Sequence, residues 1–132
     1  NYKEPWSVGI QDPNSISNKA IYVINNRNGA MLSIATSGEY RNFRVSQDGV
    51  KNTHTINPDN QKSITSDILS VTILNNKSAT RADAYATGFN VISGIEIIEI
   101  ANANDIPLML VTSKNKEIEL LFSDKWYDFT YE

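Results

Sequence analysis

The segment Ile68-Leu69-Ser70-Val71-Thr72-Ile73-Leu74 leaves the chain few choices. It is β-branched or apolar almost throughout, which predicts a strand in the interior of a sheet, covered on both faces. Such a strand needs a layer on either side. A chain of 132 residues, 40% of them hydrophobic, has the material for one globular domain with a core of that kind. The expected fold class is α+β: an antiparallel or mixed β-sheet with two helices packed on it.

The other segments supply the layers. Trp6 to Ile10 reads as a strand running into the turn cluster Gln11-Asp12-Pro13-Asn14, and Ile21 to Ile24 as a strand closed by Asn25-Asn26-Arg27-Asn28-Gly29. The Asn-Gly pair suits a tight turn, with Ala30 to Thr36 as the next strand of an antiparallel sheet. Gly38, set among small polar residues, marks either a bulge or a close approach by another backbone or ligand. Arg44-Val45-Ser46 and Val50 to Ile56 flank an Asp48-Gly49 turn, and Asn57-Pro58-Asp59-Asn60-Gln61 ends the second of these strands. Toward the C-terminus, Ile95 to Asn102 predicts a helix. Leu108–Thr112 and Glu117–Phe122 predict a hairpin, and Trp126, Tyr127 and Phe129 a last aromatic strand or tail at the edge of the core.

Between Leu74 and Ile95, Ala82, Tyr85 or Ala86, Phe89 and Ile92 recur at helical steps, leaving Asp83, Thr87 and Asn90 on a neighbouring polar stripe. Gly88 weakens this helix by roughly 1 kcal/mol against alanine, suggesting that something lies close to its backbone. The pair Asp83 and Thr87 has two readings. Positions four apart on a helix are roughly 6 Å from each other, so an acid, a hydroxyl and a nearby carbonyl can meet one hard cation. Thr80-x-x-Asp83 equally fits a capping box, the more common role of that pattern. Both stay open on the residues alone.

Composition narrows the function classes. The formal net charge is −3 and no Lys/Arg cluster is present, which argues against a nucleic-acid surface. A polyanionic substrate would then need a divalent cation or a helix N-terminus, both available around Thr80–Thr87. The absence of cysteine excludes thiolate chemistry. No apolar run approaches the ~18 residues of a membrane span, and the first residues, which lack an initiator Met, have no signal-peptide pattern.

Several segments resemble, in order, the C-terminal part of the FAD:protein FMN transferase (ApbE) family. Pro5-Trp6-Ser7-Val8-Gly9-Ile10-Gln11-Asp12-Pro13 is similar to its PW-x-VGI-x-DP strand, and Ala35-Thr36-Ser37-Gly38-Glu39-Tyr40-Arg41 to its ATSG[DE]YR segment. His54-Thr55-Ile56-Asn57-Pro58 is similar to its HxIDP motif, Ser70-Val71-Thr72-Ile73 to its SVTV strand, and Ala82-Asp83-Ala84-Tyr85-Ala86-Thr87 to its ADAxAT helix. The resemblance implies a T-fold-like flavin transferase of which residues 1–132 form the C-terminal half. Its partners would be FAD as substrate, a flavoprotein acceptor with a target Ser or Thr, and the missing N-terminal half of the same protein. The reaction implied is magnesium-dependent transfer of FMN from FAD to that hydroxyl, with AMP leaving. The alternatives are an FAD pyrophosphatase giving FMN and AMP, and a non-catalytic flavin-binding module.

By residue, the resemblance implies Asp83, Thr87 and the carbonyl of Ala86 as the Mg²⁺ ligands and the backbone of Ile56 as an FAD contact. It offers His54 as a polar or proton-handling group, and Thr36, Ser37 and Tyr40 as residues at the flavin site or merely shaping their strand. Asn57 departs from the family's Asp, keeping the turn but losing the charge, and Asp59-Asn60-Gln61 replaces a continuation containing Thr-Gly. With the upstream half absent, the isolated chain is expected to be inactive. The family also implies the bacterial periplasm or the outer face of the membrane.

Overall fold

A computed structural model describes residues 5–26, 30–38, 43–45, 47, 51–53, 56–62, 67–92, 94–115 and 117–130. The expected interior strand is β6 (Ile68–Asn75) of a four-stranded antiparallel sheet in the order β3-β6-β7-β8, with β3 at Ser33–Gly38, β7 at Leu108–Lys114 and β8 at Glu117–Phe122. Val71, Ile73 and Leu74 are fully buried because each face of the sheet carries its own layer.

On one face lie α1 (Ala79–Phe89) and α2 (Gly94–Ala103), the two expected helices. Ala82, Ala86 and Phe89 of α1 and Ile97 and Ala101 of α2 close over Val71, Ile73, Leu108 and Leu110. On the other face β1 (Trp6–Gln11) pairs antiparallel with β2 (Ala20–Asn26), and Ile10 and Ile24 pack with Leu74, Met109 and Val111. β4 (Phe43–Val45) and β5 (Lys51–Thr53) form a separate hairpin. Its expected Asp48-Gly49 turn lies outside the described residues, as does Asn28-Gly29.

Two expectations change. β2 and β3 are consecutive but do not pair: β2 partners β1, and β3 partners β6 in register Ser33↔Asn75 to Gly38↔Ser70. The connection crosses between layers because the apolar residues of β2 and β3 contribute to one sandwich from opposite sides. The C-terminal aromatics, read as a strand or a tail at the edge of the core, form no strand and reach into the core. A 3-10 turn at Asp124–Trp126 leads into the short α3 (Tyr127–Thr130), and Trp126 is fully buried, edge-on to Tyr22 and tilted on Phe122.

Ser123, fully buried, ties that end down. Its Oγ accepts the N–H of Leu108 at 2.8 Å and donates to the carbonyl of Ile106 at 2.7 Å, so one hydroxyl satisfies two backbone groups where β8 leaves the sheet. Ser123→Ala leaves both groups without that partner away from water. Urea unfolding is expected to show a loss of roughly 1–3 kcal/mol.

Candidate functional site

β6 ends where Asn75 Oδ1 accepts the N–H groups of Lys77 and Ser78, both at 2.8 Å. This turn sets Ser78 in an extended conformation as the N-cap of α1, its Oγ accepting from the N–H of Arg81 at 3.2 Å. Thr80 is therefore not the cap, because the Asn75 turn starts the helix before it. The third helical residue is Arg81, so no capping box forms. Asp83 lies beyond the first turn, where the backbone N–H groups are already bonded within the helix, and among the described residues no side chain bonds to its carboxylate. Local physics thus removes the capping role from Asp83.

Asp83 and Thr87 are both exposed and lie one turn apart on the same side of α1, while Ala82 and Ala86 at 0% exposure face the sheet. The small alanines bring the helix close to β3, where Ser37 Oγ lies 3.1 Å from Thr87 Oγ1. At the end of the helix Asn90, Val91 and Ile92 donate to Thr87, Gly88 and Phe89, three residues back, the tightening common at helix ends. Ala86 is 0% exposed, so the open side of this turn offers a carboxylate and a hydroxyl. Both are oxygen donors of the kind a hard divalent cation takes. Among the described residues no group of three or more His, Cys, Asp or Glu side chains comes together, so a cation here would draw on neutral oxygens as well as the acid.

The remaining candidate residues separate. Neighbouring residues of a strand point to opposite faces. Thr36 accordingly leaves Ser37 and pairs with Thr72, Oγ1 to Oγ1 at 2.9 Å. It borders a cleft of about 470 Å³ walled by Trp6, Val8 and Ile34. Ile56 is 51% exposed. Asn57 beside it holds a tight turn: its Oδ1 accepts the N–H of Asp59 at 2.8 Å, its carbonyl the N–H of Gln61, and its own N–H reaches the carbonyl of Lys62. The amide thus makes the turn without the acid's charge. Tyr40 and His54 lie outside the described residues. Gly88 departs from expectation: a Cβ there would meet nothing within 4 Å. Asn90 also departs, being buried and not open to solvent as Asp83 and Thr87 are.

The sequence matches the ApbE family over residues 1–110. It is 36% identical over 107 residues to the FAD:protein FMN transferase of Vibrio cholerae, taking in 81% of this chain and 30% of that protein. It is 30% identical over 125 residues to the protein of the same description from Escherichia coli, taking in 95% of this chain and 34% of that one. Among solved structures, the flavin transferase ApbE from Vibrio cholerae superposes with a TM-score of 0.75 at 32% identity, covering 95% of this chain and 38% of that one. The ApbE protein of Thermotoga maritima superposes with a TM-score of 0.77 at 27% identity, covering 98% and 40%. The chain spans about a third of the length of the curated relatives it matches.

The choice of cap is testable in isolation from chemistry. Ser78→Ala is expected to lower stability by roughly 0.5–2 kcal/mol. Thr80→Ala, which removes no cap, should stay within about 0.5 kcal/mol. Thermal and urea unfolding of the two variants side by side check the assignment.

Proposed function

The chain belongs to the ApbE family, and we propose that it forms the metal-holding part of an enzyme that moves FMN from FAD onto a Ser or Thr hydroxyl of a flavoprotein, with AMP as the leaving group. Supporting the flavin-transfer reading are the relatives described as FAD:protein FMN transferases. Supporting the metal reading is the exposed pair Asp83 and Thr87, one turn apart on α1, with the acid outside the helix cap.

In this reading Asp83, the carbonyl of Ala86 and Thr87 hold Mg²⁺. When bound, that cation supplies neutralisation of the negative charge that grows on the pyrophosphate oxygens as the bond breaks. The residues of this chain prepare the site. Asp83 gives it net negative charge. The Thr87 hydroxyl has one proton to donate and lone pairs to offer, so giving the proton to Ser37 Oγ aims a lone pair away from the strand and holds the rotamer. Ser37 is then a positioning residue acting through Thr87.

The turn built by Asn57 fixes the backbone beside Ile56, which we assign to the flavin nucleotide. Because the amide already makes the turn, the family's acid at that position is not needed for local structure. The rest of the FAD grip belongs to the part of the protein upstream of these residues, so the described chain alone holds only part of the site.

A pyrophosphatase that delivers the same FMN group to water would use the same residues, differing only in the nucleophile. Incubating the protein, with its upstream part present, with FAD, Mg²⁺ and a threonine-bearing acceptor separates the readings. Covalent flavin on the acceptor is the expected product. Free FMN with AMP indicates the pyrophosphatase, and neither product indicates a binding module. Asp83→Ala is expected to abolish Mg²⁺-dependent transfer while shifting stability by no more than about 0.5 kcal/mol, as an exposed residue outside the cap should. Retained transfer would overturn the assignment of Asp83.

A further inference from the structure

The sandwich is open along one margin. β3 is the outer strand of the four-stranded sheet, paired with β6 on one side and, among the described residues, with no strand on the other. In an outer strand, alternate residues turn both N–H and C=O away from the single partner. Beside this edge lies the cleft of about 470 Å³, lined by Trp6, Val8 and Ile10 of β1 and by Leu32, Ile34 and Thr36 in and just before β3. Its walls are inward-facing residues of the two layers. Ile10, deeper in the core, is 4% exposed, whereas Val8 on the same face is 38% exposed. Natural sheets often guard an open edge with charge, and β8, the other outer strand, does so with the exposed Glu117 and Glu119. Trp6–Gln11 and Ser33–Gly38 contain no charged residue. An uncharged edge beside an unfilled apolar cleft suits the addition of another strand.

We propose that a strand from the part of the protein upstream of these residues pairs with the open side of β3 and sends apolar side chains into the cleft, completing the sandwich. The inference rests on the reading that further chain lies upstream, and not on the cation. Two observations favour that occupant over a second copy of the chain or the acceptor. The matched stretch takes in only 30% and 34% of two curated relatives, which leaves ample sequence for another strand. Upstream chain joins at the head of β1, where Trp6 itself lines the cleft. A strand arriving from there is tethered at the margin it fills, and its high local concentration outcompetes a free partner. The pleat sets the pattern of the incoming strand. One set of alternate side chains faces Leu32, Ile34 and Thr36 and is apolar; the other lies on the side of Ala35 and Ser37, toward α1. The added strand thereby runs past the Ser37–Thr87 pair and brings upstream residues beside the hydroxyl that stands one turn from Asp83.

The test uses the full-length protein without substitutions. Hydrogen exchange, read residue by residue by electron-transfer mass spectrometry, is expected to show every amide of residues 34–37 exchanging at least roughly 100-fold slower than an unstructured amide. With β6 as the only partner, alternate amides exchange near the unstructured rate, and that result overturns the proposal. Photo-leucine incorporated in place of leucine probes the cleft at Leu32 with little change of bulk and identifies the occupant. In a mixture of light and ¹⁵N-labelled protein, the expected product is a cross-link from Leu32 to an upstream segment of the same molecule. A light-to-heavy cross-link assigns the cleft to a second copy, and one that forms only when the flavoprotein acceptor is added assigns it to the acceptor; either overturns the proposal, as does the absence of any cross-link to an upstream segment. Flavin transfer separates this inference from the function reading. Protected amides without transfer retire the function reading and leave the strand in place, whereas transfer with open alternate amides retires this inference alone.

Discussion

The seating of α1 on the sheet through Ala82 and Ala86 is the contact on which the placement of its polar residues depends. Both side chains are fully buried against the layer that holds Val71 and Ile73. A helix that meets a sheet through alanine methyls can approach it there more closely than one that meets it through leucines, and interiors pack tightly enough that a larger residue at these positions would lift it. That closeness brings Thr87 within 3.1 Å of Ser37. Apolar packing thereby sets the position of a polar pair on the opposite border of the same helix.

The two ends of α1 are arranged for different tasks. At its start Asn75 and Ser78 satisfy free backbone N–H groups, which leaves Asp83 uncommitted. At its finish the hydrogen bonds shorten by one residue, and Asn90 is buried. Helix ends are where backbone groups become available without breaking the interior ladder.

The opposite layer has a different role. β1, β2 and Trp126 cover the sheet face that carries Thr36, Thr72 and Leu74, and the paired threonine hydroxyls satisfy each other within that mostly apolar layer. Ser37 and Thr36, adjacent in the chain, therefore belong to different surroundings. The alternation of a strand makes this unavoidable once β3 is locked in register with β6.

Much of this was legible in the residues themselves because it follows from local geometry. The apolar run at 68–74 had to be an interior strand, the alanine and phenylalanine spacing had to be a helix, and residues four apart on that helix had to share a side, so Asp83 and Thr87 stood out as a pair. The turn at Asn57 was equally local, as an amide bonding the N–H two residues on. Tertiary structure decided what depends on distant partners or on competition between neighbours. Ser78 took the cap from Thr80 because the Asn75 turn preceded it, and β2 paired with β1 instead of β3 because the two belong to different layers. Ser37 met Thr87 across 50 residues of sequence only through the β3–β6 register and the seating of two alanines. Periodicity assigns a residue to a side of its own element; which atoms lie across from it is fixed by packing between elements, which no local pattern encodes.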